Sequence, residues 1–149
     1  MIASTGAVEP KFNWSLKADT PPSFGNPLSG VSYTACMFAP SVGVDQALAA
    51  FRVPSSTDCD SADCWREIGA RKVYKAAQPA EDGAAVVRLV ERRSGGAFIR
   101  MKAAGAVNLP DLPLESPVKV QLIGSDGQCW ESTFDSWKVN DERRFRAAY

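Results

Sequence analysis

Short β-type runs separated by turn signals recur along most of this 149-residue chain. Gly, Pro, Ser and Asp cluster between the runs, and Ser125-Asp126-Gly127 is typical of a hairpin because Asp-Gly tolerates the backbone of a tight turn. About nine strands at this spacing predict an all-β sandwich, immunoglobulin-like or jelly-roll-like, with mostly antiparallel strands. The clearest runs are 31–38, 47–53, 64–69, 72–76, 85–91, 97–102, 118–123, 129–137 and 143–147, and 12–17 is a further one.

The length fits a single domain over residues 12–149, preceded by a flexible segment at 1–11. The Ala-rich stretch 44–51 is compatible with a short helix capped by Asp45. We favour a strand at 49–53 instead, because Phe51 and Val53 alternate with a charged residue and a proline follows. The proline-rich stretch 108–117 predicts an extended crossover whose leucines pack on the core.

Four cysteines allow two disulfides in any of three connectivities. Strand alternation places Cys36 and Cys129 on the more polar faces of their strands, so we predict that they are cross-strand neighbours joined by a disulfide. Cys59 and Cys64 would close a small loop. Zinc is disfavoured because the chain has no histidine and only this last pair approaches metal-ligand spacing. Calcium near Asp58, Asp60 and Asp63 is the other alternative, although a solvated acidic turn is favoured.

A disulfide-bonded domain points to an environment outside the reducing cytosol. The first residues have neither the basic nor the apolar region of a signal peptide. We therefore expect an extracellular or cell-surface module of a longer exported protein, next to other domains of that protein. A cytosolic protein with free thiols is the alternative.

Charge is balanced, with 17 basic and 17 acidic residues. Balanced charge gives no global field for a polyanion, so neither nucleic acid nor a membrane is predicted as a partner. The one basic run, at 143–146, directly follows Asp141 and Glu142 and indicates a solvated strand or tail.

The tryptophans suggest a ligand surface only weakly. Trp14, Trp65 and Trp130 are expected in the core, because buried aromatic rings supply much of the apolar area of a small domain. Trp137 stands in a polar stretch and is the best candidate for a flat platform that holds a sugar ring. The predicted ligand-binding residues are Trp137, Trp65, Glu131 and Asp135.

Enzyme chemistry and cofactors are not predicted. The absence of histidine removes the Ser-His and Cys-His nucleophile systems and the usual neutral-pH proton carrier. Glu131 and Asp135 share one strand face but stand roughly 13 Å apart, beyond the separation that a glycosidase uses. A carboxylate-dependent hydrolase would therefore need an acidic partner from another strand.

A set of short motifs resembles an uncharacterised domain found at the C-terminal ends of predicted exported proteins of environmental bacteria. The most specific part is the stretch 108–147, with Asn108-Leu109-Pro110, Gln121-Leu122 and Asp126-Gly127-Gln128-Cys129-Trp130-Glu131. The resemblance covers about residues 12–148 and implies an extracellular accessory domain with no assigned activity.

These features together predict a non-catalytic extracellular module with an adhesion or ligand-binding role, and a glycan is the candidate ligand. A purely structural spacer is the main alternative. A binder should expose a contiguous aromatic or apolar patch, and a spacer should not.

Overall fold

The computed structural model describes residues 1–4, 10–18, 23–41, 44–59, 64–76, 84–92, 95–104 and 108–147. Within them the chain forms a β-sandwich of two antiparallel sheets, which confirms the predicted fold class. The strands are β1 Ile2–Ser4, β2 Lys11–Ala18, β3 Tyr33–Ser41, β4 Val44–Val53, β5 Trp65–Ile68, β6 Arg71–Lys75, β7 Val86–Glu91, β8 Ala97–Ala104, β9 Val118–Gly124, β10 Cys129–Phe134, β11 Val139–Asp141 and β12 Arg144–Arg146.

The larger sheet has eight strands in the order β11-β12-β1-β2-β8-β7-β6-β5, and the smaller has four in the order β10-β9-β3-β4. Residues 2–4, predicted to be flexible, form β1 between β12 and β2. The side chain of Ala3 is fully buried there. Three residues are too few to display an alternating pattern, so the sequence could not reveal this strand.

The Ala-rich stretch forms a strand throughout. β4 runs from Val44 to Val53 and pairs with β3, so the helix alternative is wrong and the strand is longer than the favoured 49–53. A register shift between Met37 and Phe38 interrupts the ladder. This irregularity hides the period-two pattern that would have extended the prediction towards residue 44.

Two connections match their predictions. The β9–β10 hairpin turns at Ser125-Asp126-Gly127, where the Gly127 N–H donates to the Gly124 carbonyl at 2.9 Å. Gly127 has a φ of 86°, which glycine adopts readily and residues with a side chain rarely adopt. The proline-rich stretch 108–117 carries no strand, and its three leucines, at 109, 112 and 114, pack against the core.

The core lies between the inward faces of the two sheets, and aromatic side chains join them. Phe12 of β2 stacks on Phe51 of β4 with ring centroids 4.8 Å apart. The indole Nε1–H of Trp14 on β2 donates to the Ser132 Oγ of β10 at 3.1 Å, and both residues are buried. This hydrogen bond ties the sheets together in an apolar setting where an unpaired polar group is costly.

Candidate anion-binding face

Three of the four predicted ligand residues are exposed. Trp137 is 37% exposed, and its ring packs on Phe145 with centroids 5.8 Å apart. Glu131 lies on the outer face of the smaller sheet, where it accepts from Gln121 Nε2 at 2.6 Å. Asp135 is exposed just after β10. A sugar platform at Trp137 stays a prediction.

Trp65, the fourth predicted ligand residue, lies in the core. It is 3% exposed and packs between Tyr33 and Tyr74, with ring centroids 5.8 and 5.5 Å away. Its indole N–H donates to the Pro54 carbonyl at 2.7 Å. The ring therefore offers no surface to a ligand, in agreement with the expectation that this tryptophan packs in the core.

One predicted disulfide is formed and the other is not. Cys59 and Cys64 are joined, as predicted. Cys36 and Cys129 are free thiols. Both lie on the outer face of the smaller sheet, as strand alternation indicated, but β9 runs between their strands. Two strand spacings amount to about 9.5 Å, which exceeds the Cα separation that a disulfide can span.

The free thiols are expected to react slowly and selectively. Burial raises the pKa of both thiols. The nearby Cys129 thiol raises the pKa of Cys36 further, and the Glu131 carboxylate raises the pKa of Cys129 further. The fraction of each thiol in the reactive thiolate form is therefore small near neutral pH and should rise about tenfold per pH unit.

Iodoacetamide on the native, unreduced protein should modify Cys129 before Cys36, since Cys129 is the more exposed. Mapping should find the 59–64 link intact; a peptide linking 36 to 129 would contradict the structure.

The acidic loop after β4 is only partly described. Asp58 Oδ2 accepts from the Ser55 hydroxyl at 2.5 Å. Asp60 and Asp63 lie outside the described residues, so the calcium alternative stays a prediction. Among the described residues, no group of three or more Cys, Asp or Glu side chains is arranged to hold a metal.

The outer face of the larger sheet concentrates positive charge. Strands β2, β8, β7 and β6 present fourteen side chains outward: four each from β2 and β8, and three each from β7 and β6. Half of them are lysine or arginine, all exposed, and none is acidic. We call this surface the basic face; its charged members are Lys11, Lys17, Arg71, Lys75, Arg88, Arg100 and Lys102.

Register brings like charges together at the centre of the basic face. Arg88 of β7 is directly opposite Arg100 of β8 in the ladder. Like charges in directly opposed positions destabilise a sheet, by about 0.2–1 kcal/mol per pair. Within the described part of the chain, neither guanidinium has a salt-bridge partner.

Outside these four strands acidic residues outnumber basic ones, because the chain has 17 of each and the four strands hold eight basic residues and one acidic residue. On the smaller sheet, Lys119 Nζ lies 3.8 Å from a Glu131 carboxylate oxygen. On the inward side of β6, Lys72 pairs with Glu91 at 3.7 Å and donates to the Gly25 carbonyl at 2.8 Å. Arg66, Arg144 and Arg146 extend the positive surface towards the sheet edges, where Asp141 is directly opposite Arg144. The excess of positive charge among the described residues therefore lies on the outer face of the larger sheet.

A groove of about 250 Å³ opens at one end of the basic face, over β1, β2 and β8. Its lining combines apolar, neutral polar and cationic side chains: Ile2, Asn13, Ser15, Phe98 and Arg100. Arg100 is directly opposite Ser15 in the ladder. A guanidinium, an amide, a hydroxyl and an aromatic ring converge at this groove.

The basic face was not predicted from the sequence, and the absence of a nucleic-acid or membrane partner stays a prediction. A balanced total does not exclude a charged surface, because sheet pairing gathers residues from β2, β6, β7 and β8 that are far apart in sequence. The signal was present in the outward positions of single strands, such as Arg100 and Lys102 on β8. Strand order, which supplies the neighbours, could not be read from one sequence.

No protein-family model, curated protein or solved structure matches this chain. No helix in the described part of the chain is long and apolar enough to cross a membrane.

Proposed function

We propose that this protein is a non-catalytic binding module that acts outside the reducing cytosol and binds an acidic polysaccharide through its basic face. The observation that carries this proposal is the segregation of charge, with seven cationic and no acidic side chains among the fourteen outward positions. A polyanion would neutralise the repulsion between Arg88 and Arg100. It would also release its condensed counterions on binding, which favours association.

The disulfide supports polysaccharide as the class of polyanion. The Cys59–Cys64 bond is of a kind that persists in oxidising, extracellular settings. Acidic glycans are the polyanions expected at cell surfaces, whereas nucleic acids are mainly intracellular. The resemblance over residues 12–148 suggests that this module belongs to a longer exported bacterial protein with further domains.

A purely structural spacer accounts less well for the surface. The large exposed hydrophobic side chains, Ile2, Ile68, Ile123 and Trp137, belong to four different elements among the described residues, so they mark no single apolar patch. A spacer, however, gains nothing from opposing Arg88 and Arg100. The cost of that pair to the fold favours a binding role.

The proposal is tested by titrating the protein with polygalacturonate, with neutral dextran and duplex DNA in parallel. If binding neutralises four carboxylates, the affinity should fall about 50-fold between about 50 and 200 mM salt. This value uses the slope of log affinity against log salt concentration that applies to a single-stranded polyanion. Dextran should not bind. Binding that is insensitive to salt, or tighter binding to DNA than to any acidic polysaccharide, would contradict the proposal.

A further inference from the structure

We infer that the groove over β1, β2 and β8 is a subsite for one carboxylated sugar residue, a hexuronate unit of the bound polysaccharide. This inference rests on the proposed function, because the groove lies at one end of the basic face. It adds a chemical preference that a uniform positive surface would not have. A charged sheet alone would bind carboxylated and sulfated chains according to charge density.

Arg100 supplies the recognition of the carboxylate. Its guanidinium is planar and donates two parallel N–H bonds, a geometry that matches a carboxylate better than a point charge does. The residue is exposed and borders the groove. The neighbouring outward lysines, Lys17 opposite Phe98 and Lys102 opposite Asn13, leave the ends of the recess positive, so the chain can continue across the sheet in either direction.

Neutral side chains supply the recognition of the sugar ring. Asn13 and Ser15 lie two residues apart on the same face of β2, about 6.6 Å along the strand, so both side chains border the groove. The amide both donates and accepts, and so does the hydroxyl, as ring hydroxyls require. Phe98 and Ile2 offer apolar surface to the C–H face of the ring.

The size of the groove suits a single sugar ring. Pockets for drug-sized ligands begin at about 300 Å³. The volume of about 250 Å³ is below that range and suits one ring with its carboxylate.

Matched variants separate the groove from the surrounding charge. Arg100→Gln and Arg88→Gln each remove one positive charge from directly opposed positions, but Arg88 does not line the groove. Asn13→Ala and Ser15→Ala change no charge. The probes are oligosaccharides of galacturonate, mannuronate and glucuronate, with sulfated dextran oligosaccharides of equal charge as the comparison, all titrated at several salt concentrations.

With the wild-type protein, at least one uronate series should bind tenfold more tightly than sulfated dextran. Arg100→Gln should remove that preference, whereas Arg88→Gln should weaken all anions equally and keep it. Asn13→Ala or Ser15→Ala should weaken uronate binding about tenfold with an unchanged salt slope. Thermal unfolding of each variant checks that the fold is intact.

Two outcomes would overturn the inference. Equal effects of Arg100→Gln and Arg88→Gln, with no effect of the neutral variants, would leave a basic face without a subsite, and the proposed function would stand. Absence of salt-dependent binding to every anionic chain would remove the proposed function and the subsite together.

Discussion

Reversing the charge of Arg88 and Arg100 together is expected to lower the affinity for polygalacturonate about 100-fold at low salt, equivalent to about 2.7 kcal/mol. The double variant R88E/R100E changes the charge of the basic face by four units at its centre, where the two residues oppose each other. Both side chains are exposed, so the substitutions bury no charge. Isothermal titration at about 50 mM salt measures the loss, which should shrink as salt is added.

The charge-matched control is R52E/K119E on the outer face of the smaller sheet. It changes the net charge by the same amount at a distance from the basic face. Its affinity should stay within about threefold of wild type, because at about 50 mM salt a Debye length of about 14 Å screens charges on the opposite face of the sandwich. If both double variants lost affinity equally, binding would depend on overall charge, and the basic face would not be the site.

Replacing Trp14 by alanine is expected to have the largest effect on stability, a loss of about 3–5 kcal/mol in the free energy of unfolding. The side chain is 1% exposed at the centre of the core. Its removal leaves a cavity and deprives the buried Ser132 hydroxyl of its donor. For a domain of this length the melting temperature should fall by about 10–20 °C.

Trp137→Ala is the matched control, since it removes the same side chain from a site that is 37% exposed. It gives up the contact with Phe145 and should cost about 1 kcal/mol. Trp14→Phe keeps most of the apolar area but loses the hydrogen bond, and should cost about 1–3 kcal/mol. Equal melting temperatures for Trp14→Ala and Trp137→Ala would show that the inter-sheet contact contributes nothing.

Local patterns predicted the architecture well. Alternation assigned the faces of β3 and β10 correctly, including the outward positions of Cys36 and Cys129. The close pair Cys59 and Cys64 needed no knowledge of topology, and its disulfide was predicted. The fold class and one disulfide could thus be predicted from short stretches of sequence.

Errors arose wherever the answer depended on which strands are neighbours. Cys36 and Cys129 face the same way, but the insertion of β9 between their strands separates them. The same kind of information, strand order, decides that Arg88 faces Arg100. The period-two pattern indicates which face of the sheet a residue occupies, but it does not indicate which residue lies opposite on the neighbouring strand. The candidate site could therefore not be predicted from this sequence alone.

A chain with no net charge and a cationic sheet face behaves as a permanent electric dipole. An approaching polyanion would exert a torque on it before any net attraction develops, so the molecule would turn its basic face forward during encounter. Orientation in the field would then replace net charge as the source of fast association. The protein could stay near neutrality, free of the self-repulsion that a uniformly cationic binder carries, and still meet its ligand with the correct side.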